Sequence, residues 1–150
     1  MQTAKVNIKK LRKTAKLPTY GTELSAGADL YAALEEDVTI APGETKFIPT
    51  GLSIEFPEGL GGFIFARSGL SCKQGLAPAN KVGIVDADYR GEVSVALYNQ
   101  SKENRVVQDG DRVAQIVFMP FVKGLFKEVT VFDKEETERG VGGFGHTGKK

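Results

Sequence analysis

The chain has 150 residues, which suffices for one domain with a hydrophobic core but not for two. Its 20 basic and 19 acidic residues give a net charge of +1, so it lacks the basic excess typical of a general nucleic-acid binder. One cysteine, Cys72, and one histidine, His146, exclude an internal disulfide, a Cys/His zinc cage and zinc-dependent base deamination. We find no apolar run long enough to span a membrane and no export signal, and therefore expect an intracellular protein, cytoplasmic or nuclear and not secreted.

Apolar and polar residues alternate with period two in most segments, which predicts β-strands with one face in a core. Eighteen glycines and six prolines leave little room for helices, and the one helical candidate is a turn or two at 68–74. About ten short strands separated by turns predict an all-β sandwich or barrel. In chain order the strand candidates are 5–9, 28–33, 45–49, 52–56, 62–66, 81–86, 93–97, 104–107, 113–119 and 128–132.

Two segments in the first half of the chain carry polar residues in strand-like surroundings. Asp29 interrupts a strand candidate, where an aspartate needs a partner. Arg67, Ser68 and Gly69 directly follow an apolar run and offer a guanidinium, a hydroxyl and an open backbone to phosphate oxygens. Each segment taken alone is equally compatible with a surface aspartate or a simple strand exit.

The segment 80–93 is predicted to be a β-hairpin with a connection at 87–91. Asp86 ends its first strand, where a carboxylate could accept a proton from water, and Tyr89 near the tip could stack on a ring or sugar. A surface turn is the plain alternative for this segment.

Two segments in the second half of the chain are also unusual. Gln115 lies on the same predicted strand face as Val113 and Val117, so its amide needs a partner, either a ligand or a neighbouring backbone group. Residues 139–148 combine Arg139, five glycines and Phe144, a composition that suits either an anion-binding lid or an unstructured tail.

Taken together and in this order, the five segments resemble the motifs of the trimeric deoxyuridine triphosphatases (dUTPases). The resemblance covers residues 5 to 148, and five ordered motifs are far more specific than any one of them. The matching stretches are AGADLYA (26–32), ARSGLS (66–71), GIVDADYRG (83–91), GDRVAQIVF (110–118) and RGVGGFGHTG (139–148).

The resemblance implies an all-β distorted jelly roll (a β-clip) that assembles as a homotrimer with three shared sites. Residues 1–138 would form the β domain, and residues 139–150 a flexible C-terminal arm that closes a neighbouring subunit's site. The implied reaction is hydrolysis of dUTP to dUMP and pyrophosphate by in-line attack of water on the α-phosphorus. It would limit uracil incorporation into DNA and supply dUMP for thymidylate synthesis. No membrane contact and no stable nucleic-acid binding are expected.

The resemblance also assigns roles to residues. Asp86 would orient and deprotonate the water. Mg²⁺ would bind the phosphates directly and contact the protein mainly through water molecules, one of them held by Asp29. The backbone of residues 83–85 would hydrogen-bond uracil, and Tyr89 would exclude a ribose 2′-OH by contact. The implied substrate-binding residues are Arg67, Ser68, Gly69, Asn80, Gly83, Ile84, Val85, Tyr89, Gln115, Arg139, Phe144 and Gly145.

Three alternatives stay open at this point. A dCTP deaminase-like enzyme on a related fold would release ammonia rather than pyrophosphate. A non-catalytic nucleotide-sensing module would keep the fold without the chemistry. The six basic residues within 5–16 would also suit a nucleic-acid-binding arm, which salt-dependent DNA binding would reveal.

Overall fold

The computed structural model describes residues 3–133 and 136–143. Their regular elements, in chain order, are β1 (Asn7–Lys10), β2 (Thr19–Tyr20), β3 (Ala28–Tyr31), β4 (Val38–Ile40), β5 (Thr45–Glu55), β6 (Leu60–Phe65), α1 (Ser68–Gln74), β7 (Leu76–Pro78), β8 (Gly83–Val85), β9 (Val93–Asn99), β10 (Arg105–Val107) and β11 (Arg112–Pro120).

The strands form three antiparallel sheets. A four-stranded sheet has the order β1-β5-β9-β7, a five-stranded sheet has the order β2-β3-β11-β6-β8, and β10 pairs with β4. Alternate residues of β9 are buried, as the period-two pattern predicts, and Leu97 is fully buried. Ile116 on β11 is also fully buried, and Phe56 meets Phe118 edge to face with ring centroids 5.1 Å apart. The all-β prediction is therefore confirmed, with the apolar faces of the strands in one core.

The helix α1 occupies the predicted stretch and is short because glycine ends it. Gly75 adopts φ 73°, and its N–H donates to the last turn. The helix has seven residues, and none in the part of the chain described here is long and apolar enough to cross a membrane.

The predicted hairpin across 80–93 is wrong. β8 pairs with β6, through Gly62 and Val85, whereas β9 pairs with β5 and β7 in the other sheet. The chain between them, 86–92, therefore crosses from one sheet to the other instead of turning back on itself. Alternation shows that each run is a strand, but it carries no information about which strand is the partner.

The predicted strand at 128–132 is also not formed. From Phe121 onwards the chain leaves the sheets, and Val122, Leu125 and Phe126 are almost fully exposed. An alternating pattern becomes a strand only where a neighbouring strand is available to pair with it, and no strand among residues 3–133 and 136–143 pairs with 128–132. The short strands β2, β4 and β7, which have two or three residues each, were not predicted.

Candidate active site

Asp29 holds two arginines at one end of the five-stranded sheet. Its Oδ1 accepts a 2.7 Å hydrogen bond from Nε of Arg67, and its Oδ2 accepts one of 3.3 Å from Nη1 of Arg112. The Asp29 and Arg67 side chains are 15% and 25% exposed, whereas that of Arg112 is 53% exposed. The inner pair is therefore shielded from water, and the outer arginine extends toward solvent. The three strands β3, β11 and β6 create this cluster by adjacency.

Gln115 lies beside this cluster, directly opposite Asp29 on β3 and Phe65 on β6. Its Nε2 donates to the Ala66 carbonyl at 2.9 Å, so the expected partner of the amide is a backbone group within the chain. A register shift in β11 between residues 112 and 114 puts Val113 in the core and leaves Gln115 half-buried. A Cβ added at Gly27 would overlap Oε1 of Gln115, so that glycine makes room for the amide.

Ser68 and Gly69 lie where the chain leaves β6 and enters α1. Both are exposed, and no atom comes within 4 Å of the position that a Cβ would take on Gly69. A cavity of about 210 Å³ between α1 and β10–β11 is lined by residues that include Arg67, Gln74 and Arg112. The structure thus brings Asp29, Arg67 and Gln115 together, with Ser68 and Gly69 at the adjoining open surface.

Asp86 and Tyr89 lie in the crossing loop 86–92, which we call the Asp86 loop. Asp86 directly follows β8 and is exposed, and it lines an open cleft of about 950 Å³ with Phe56, Asp88 and Phe121. Tyr89 is 45% exposed. Both side chains are therefore accessible, as a base and a stacking group must be.

The Asp86 loop is held by side chains that the sequence did not single out. Nη1 of Arg90 donates to the carbonyls of Ala87 (2.6 Å) and Tyr89 (3.1 Å), and Nη2 reaches Oε1 of Glu55 at 3.4 Å. Oγ of Ser53 donates to the Arg90 carbonyl at 2.8 Å. The contacts of Arg90 with Glu55 and Ser53 join residues 35 and 37 positions apart, so no local pattern could have identified these two pairings.

Glu92 anchors the far end of the same loop. Its carboxylate accepts from Nε (2.7 Å) and Nη2 (3.1 Å) of Arg12 and from the Gly51 N–H (2.9 Å). The Arg12 guanidinium, followed by the Gly51 N–H, lowers the pKa of the Glu92 carboxyl below its ordinary value, although partial burial opposes the shift. Arg12, one of the six basic residues of 5–16, therefore has a structural partner.

Four of the predicted substrate-binding residues lie together at the free edge of the five-stranded sheet: Asn80, Gly83, Ile84 and Val85. β8 is the last strand of that sheet, so one side of its backbone has no strand partner among residues 3–133 and 136–143. Nδ2 of Asn80 lies 3.4 Å from the position of a Cβ on Gly83, while Ile84 is exposed and Val85 is buried. The unpaired backbone edge and the nearby amide are the groups that a planar base edge would need.

One chain does not bring Asp86 to the Arg67 cluster. Val85 pairs with Gly62, so Asp86 lies level with Gly61, six residues before Arg67. At about 3.3 Å per strand residue, the two are roughly 20 Å apart along β6. A base must lie within hydrogen-bond reach of the water that it activates, so this spacing favours a site in which Asp86 and Arg67 come from different chains.

The described part of the C-terminal segment contains local hydrogen bonds. Nε of Arg139 donates to the Gly142 carbonyl at 2.9 Å, and the Gly140 N–H is bonded to Thr137. The two oxygens of Asp29 accept from Arg67 and Arg112, so the predicted site role of Arg139 stays a prediction. Two further predicted site residues, Phe144 and Gly145, lie outside the described residues.

Among the described residues no group of three or more His, Cys, Asp or Glu side chains could hold a metal ion. Both oxygens of Asp29 already accept from arginines, and each keeps an acceptor position for a water. This donor set suits a hard cation that arrives with phosphate oxygens and keeps its water shell.

Comparison with known proteins shows the family of the chain. Residues 13–148 match the family dUTPase. The chain is 54% identical to the deoxyuridine 5′-triphosphate nucleotidohydrolase of Desulfitobacterium hafniense (strain DSM 10664 / DCB-2), over 99% of each chain. It is 50% identical to that of Haemophilus influenzae (strain PittEE), over 89% of this chain and 88% of the relative.

Solved structures point the same way. A Staphylococcus bacteriophage 80alpha dUTPase with bound dUpNHpp superposes with a TM-score of 0.84 at 28% identity, covering 97% of this chain and 99% of that one. The fold and its motif-bearing edges are thus those of a nucleotide-hydrolysing enzyme class. The chain belongs to the dUTPase family, the enzymes that hydrolyse deoxyuridine triphosphate, and the resemblance stated from the sequence is confirmed.

Proposed function

We propose that this chain hydrolyses dUTP to dUMP and pyrophosphate in a homotrimer, with each site shared between subunits. The observation that carries the proposal is the Asp29–Arg67–Arg112 cluster beside Gln115, in which Asp29 positions the donors of Arg67 about 20 Å from the carboxylate that would activate water. The same separation supports a site that a second subunit completes.

Asp86 is the general base in this proposal. It accepts a proton from a water whose oxygen forms a bond to the α-phosphorus, while the bond from that phosphorus to the bridging oxygen breaks and pyrophosphate leaves. A positioned base contributes about 10²–10⁴-fold to the rate. The exposure of Asp86 beside an open cleft supports this role.

The triphosphate is held by four residues: Arg67, Ser68, Gly69 and Gln115. Asp29 keeps the Arg67 guanidinium directed before substrate arrives, since Nε is bonded to it at 2.7 Å. Nη1 of Arg67 also donates to the Arg112 carbonyl at 3.3 Å, and the remaining Nη hydrogens would bond phosphate oxygens. Ser68 lies by the oxygen between the α- and β-phosphorus, where charge develops. Mg²⁺, bound to the phosphates and touching Asp29 through water, would neutralise their charge and orient them.

Uracil pairs with Asn80 and the free edge of β8 at Gly83–Val85. An edge strand offers N–H and C=O groups at fixed spacing, so a base can bind there as another strand would. Tyr89 lies beside the deoxyribose and leaves no space for a 2′-OH. Phe144 and Gly145 of the arm then close over the base, and Arg139 grips the distal phosphates.

The homotrimer is further supported by the apolar residues between Phe121 and Phe132. Val122, Leu125 and Phe126 are almost fully exposed in the single chain, which is unusual for a monomeric protein. A neighbouring subunit would cover them. The dCTP deaminase and the non-catalytic module are not favoured, because the full-length relatives are nucleotidohydrolases. Acting on nucleotide pools, the enzyme would work inside the cell.

Release of pyrophosphate and of ammonia from dUTP, dCTP, dTTP and UTP tests the reaction. We expect pyrophosphate from dUTP only, and ammonia from dCTP would contradict the proposal. Asp86→Asn should bind dUTP nearly normally and lose about 10²–10⁴-fold in kcat. Asp88→Asn is the control, because it removes another exposed carboxylate from the same cleft, and its turnover should stay within about twofold of the wild type. Wild-type turnover in Asp86→Asn would contradict the role of Asp86 as the base.

Subunit complementation tests the shared site. Asp86→Asn and Arg67→Ala should each be inactive alone, but after co-refolding some sites would combine wild-type Arg67 of one chain with wild-type Asp86 of another. Activity should therefore reappear in the mixture. If the mixture stays as inactive as the separate variants, both residues serve a site within one chain.

A further inference from the structure

The ring of Tyr89 rests against the backbone of its own loop at Gly91. Oη donates to the Glu92 carbonyl at 3.1 Å, which folds the side chain back over residues 90–92. A Cβ added at Gly91 would overlap Oη, and it would lie 2.5 Å from Cζ and 2.9 Å from Cε2. Real Cβ contacts essentially never fall below 3.0 Å, so the ring and a side chain at position 91 exclude each other.

Gly91 is not needed for backbone freedom. Among the described residues, the glycines with φ in the left-handed region do not include it. What position 91 requires is the absence of a side chain. The glycine therefore acts through its neighbour Tyr89.

The backbone beneath the ring is fixed from both sides. Ser53 holds the Arg90 carbonyl at 2.8 Å, and the Glu92 carboxylate is bonded to Arg12 and to the Gly51 N–H. The Tyr89 ring, in contrast, is 45% exposed and has solvent to move into. A methyl group at position 91 would therefore displace the ring and not the chain.

We infer that Gly91 is a specificity-positioning residue, which holds the Tyr89 ring where it separates 2′-deoxy from ribonucleoside triphosphates. The inference rests on the proposed place of Tyr89 beside the sugar. The Glu92 carbonyl also holds the ring, because it accepts the hydrogen bond from the phenol group of Tyr89. We call the position formed by Gly91 and this carbonyl the seat of Tyr89. Discrimination against the 2′-OH thus depends on a residue that does not touch the nucleotide.

The test is the ratio of kcat/KM for dUTP to that for UTP in four proteins: wild type, Gly91→Ala, Tyr89→Ala and the double variant. A site that excludes one added hydroxyl by contact discriminates by about 10²-fold, so Gly91→Ala should lower the ratio about tenfold or more. In the Tyr89→Ala background the same methyl group should have no further effect, because no ring remains to displace. Gly21→Ala is the matched control, as its Cβ would meet only Oγ of Ser25 at 3.7 Å.

The outcomes distinguish a failure of the proposed sugar contact of Tyr89 from a failure of the proposed role of Gly91. If Tyr89→Ala leaves the ratio unchanged, the sugar contact fails and the role of Gly91 falls with it. If Tyr89→Ala lowers the ratio but Gly91→Ala does not, only the role of Gly91 is wrong. An equal effect of Gly91→Ala with and without the ring would also refute it, since the glycine would then act independently of Tyr89.

A second variant covers the case in which Gly91→Ala does not fold. Tyr89→Phe keeps the ring, leaves Gly91 untouched and removes only the hydrogen bond to Glu92. A loosened ring should lower the ratio of kcat/KM for dUTP to that for UTP by a few-fold. Loss of folded protein would instead lower the measured rates with both substrates by the same factor. An unchanged ratio in Tyr89→Phe would overturn the proposed seat.

Discussion

Replacement of Asp29 by Asn is a direct test of how Arg67, the proposed phosphate-binding arginine, is held. The amide has the shape of the carboxylate, and its oxygen can still accept from Nε of Arg67. Its NH₂ group, however, would face Nη1 of Arg112, where the wild type has an acceptor at 3.3 Å. The variant thus keeps the packing and loses the negative charge between two guanidinium groups.

The expected loss follows from the two contacts. A hydrogen bond to a charged partner contributes about 1.5–3 kcal/mol and a neutral one about 0.5–1.5, so the shielded Arg67 contact weakens by roughly 1–1.5 kcal/mol. Arg112 is 53% exposed, and a pair screened in this way adds at most about 1 kcal/mol. A sum of about 1–2.5 kcal/mol corresponds to a roughly 5- to 70-fold decrease in kcat/KM for dUTP.

The assay is pyrophosphate release at several dUTP concentrations, with thermal unfolding to confirm that the variant is folded. Arg112→Gln is the matched comparison, because it removes only the solvent-facing partner, and it should cost about fivefold at most. An Asp29→Asn enzyme within twofold of wild type would refute the positioning argument. A larger loss for Arg112→Gln than for Asp29→Asn would show that Arg112 itself grips the substrate.

Two further predictions concern the arm and the Glu92 anchor. Truncation after Glu138 should leave a folded trimer with severely reduced turnover, because it removes Arg139 and Phe144; full activity in the pyrophosphate assay would show that the arm is dispensable. The pKa of Glu92 is lowered in the folded state, so its contacts stabilise the protein above the ordinary carboxyl pKa of 4.5 and are lost as the pH falls through the folded value. The difference in Tm between wild type and Glu92→Gln should therefore be largest above about pH 4.5 and shrink under more acidic conditions, and a difference that stays constant into acid would contradict this linkage.

Local patterns in the sequence were sufficient for the class of fold and for the segments that carry chemistry. Alternation in β9 and β11 indicated strands because burial of one face repeats every second residue, and the short helix at 68–74 was recognised between a strand exit and a glycine. Asp29, Arg67 and Gln115 stood out because polar groups in strand-like runs need partners. Their identity as one set came from the resemblance to a family, not from their spacing.

Strand pairing and loop anchoring were decided only by the tertiary structure. The pattern in 80–93 was the same whether β8 paired with β9 or with β6, and the partner depended on which apolar faces met in the core. Likewise, Arg12 became an anchor of the Asp86 loop through Glu92, 80 residues away. Periodicity is a property of neighbouring residues and is readable from the chain itself. Contacts between distant residues depend on how the sheets pack, and this determined both the distance between Asp86 and Arg67 and the seat of Tyr89 on Gly91.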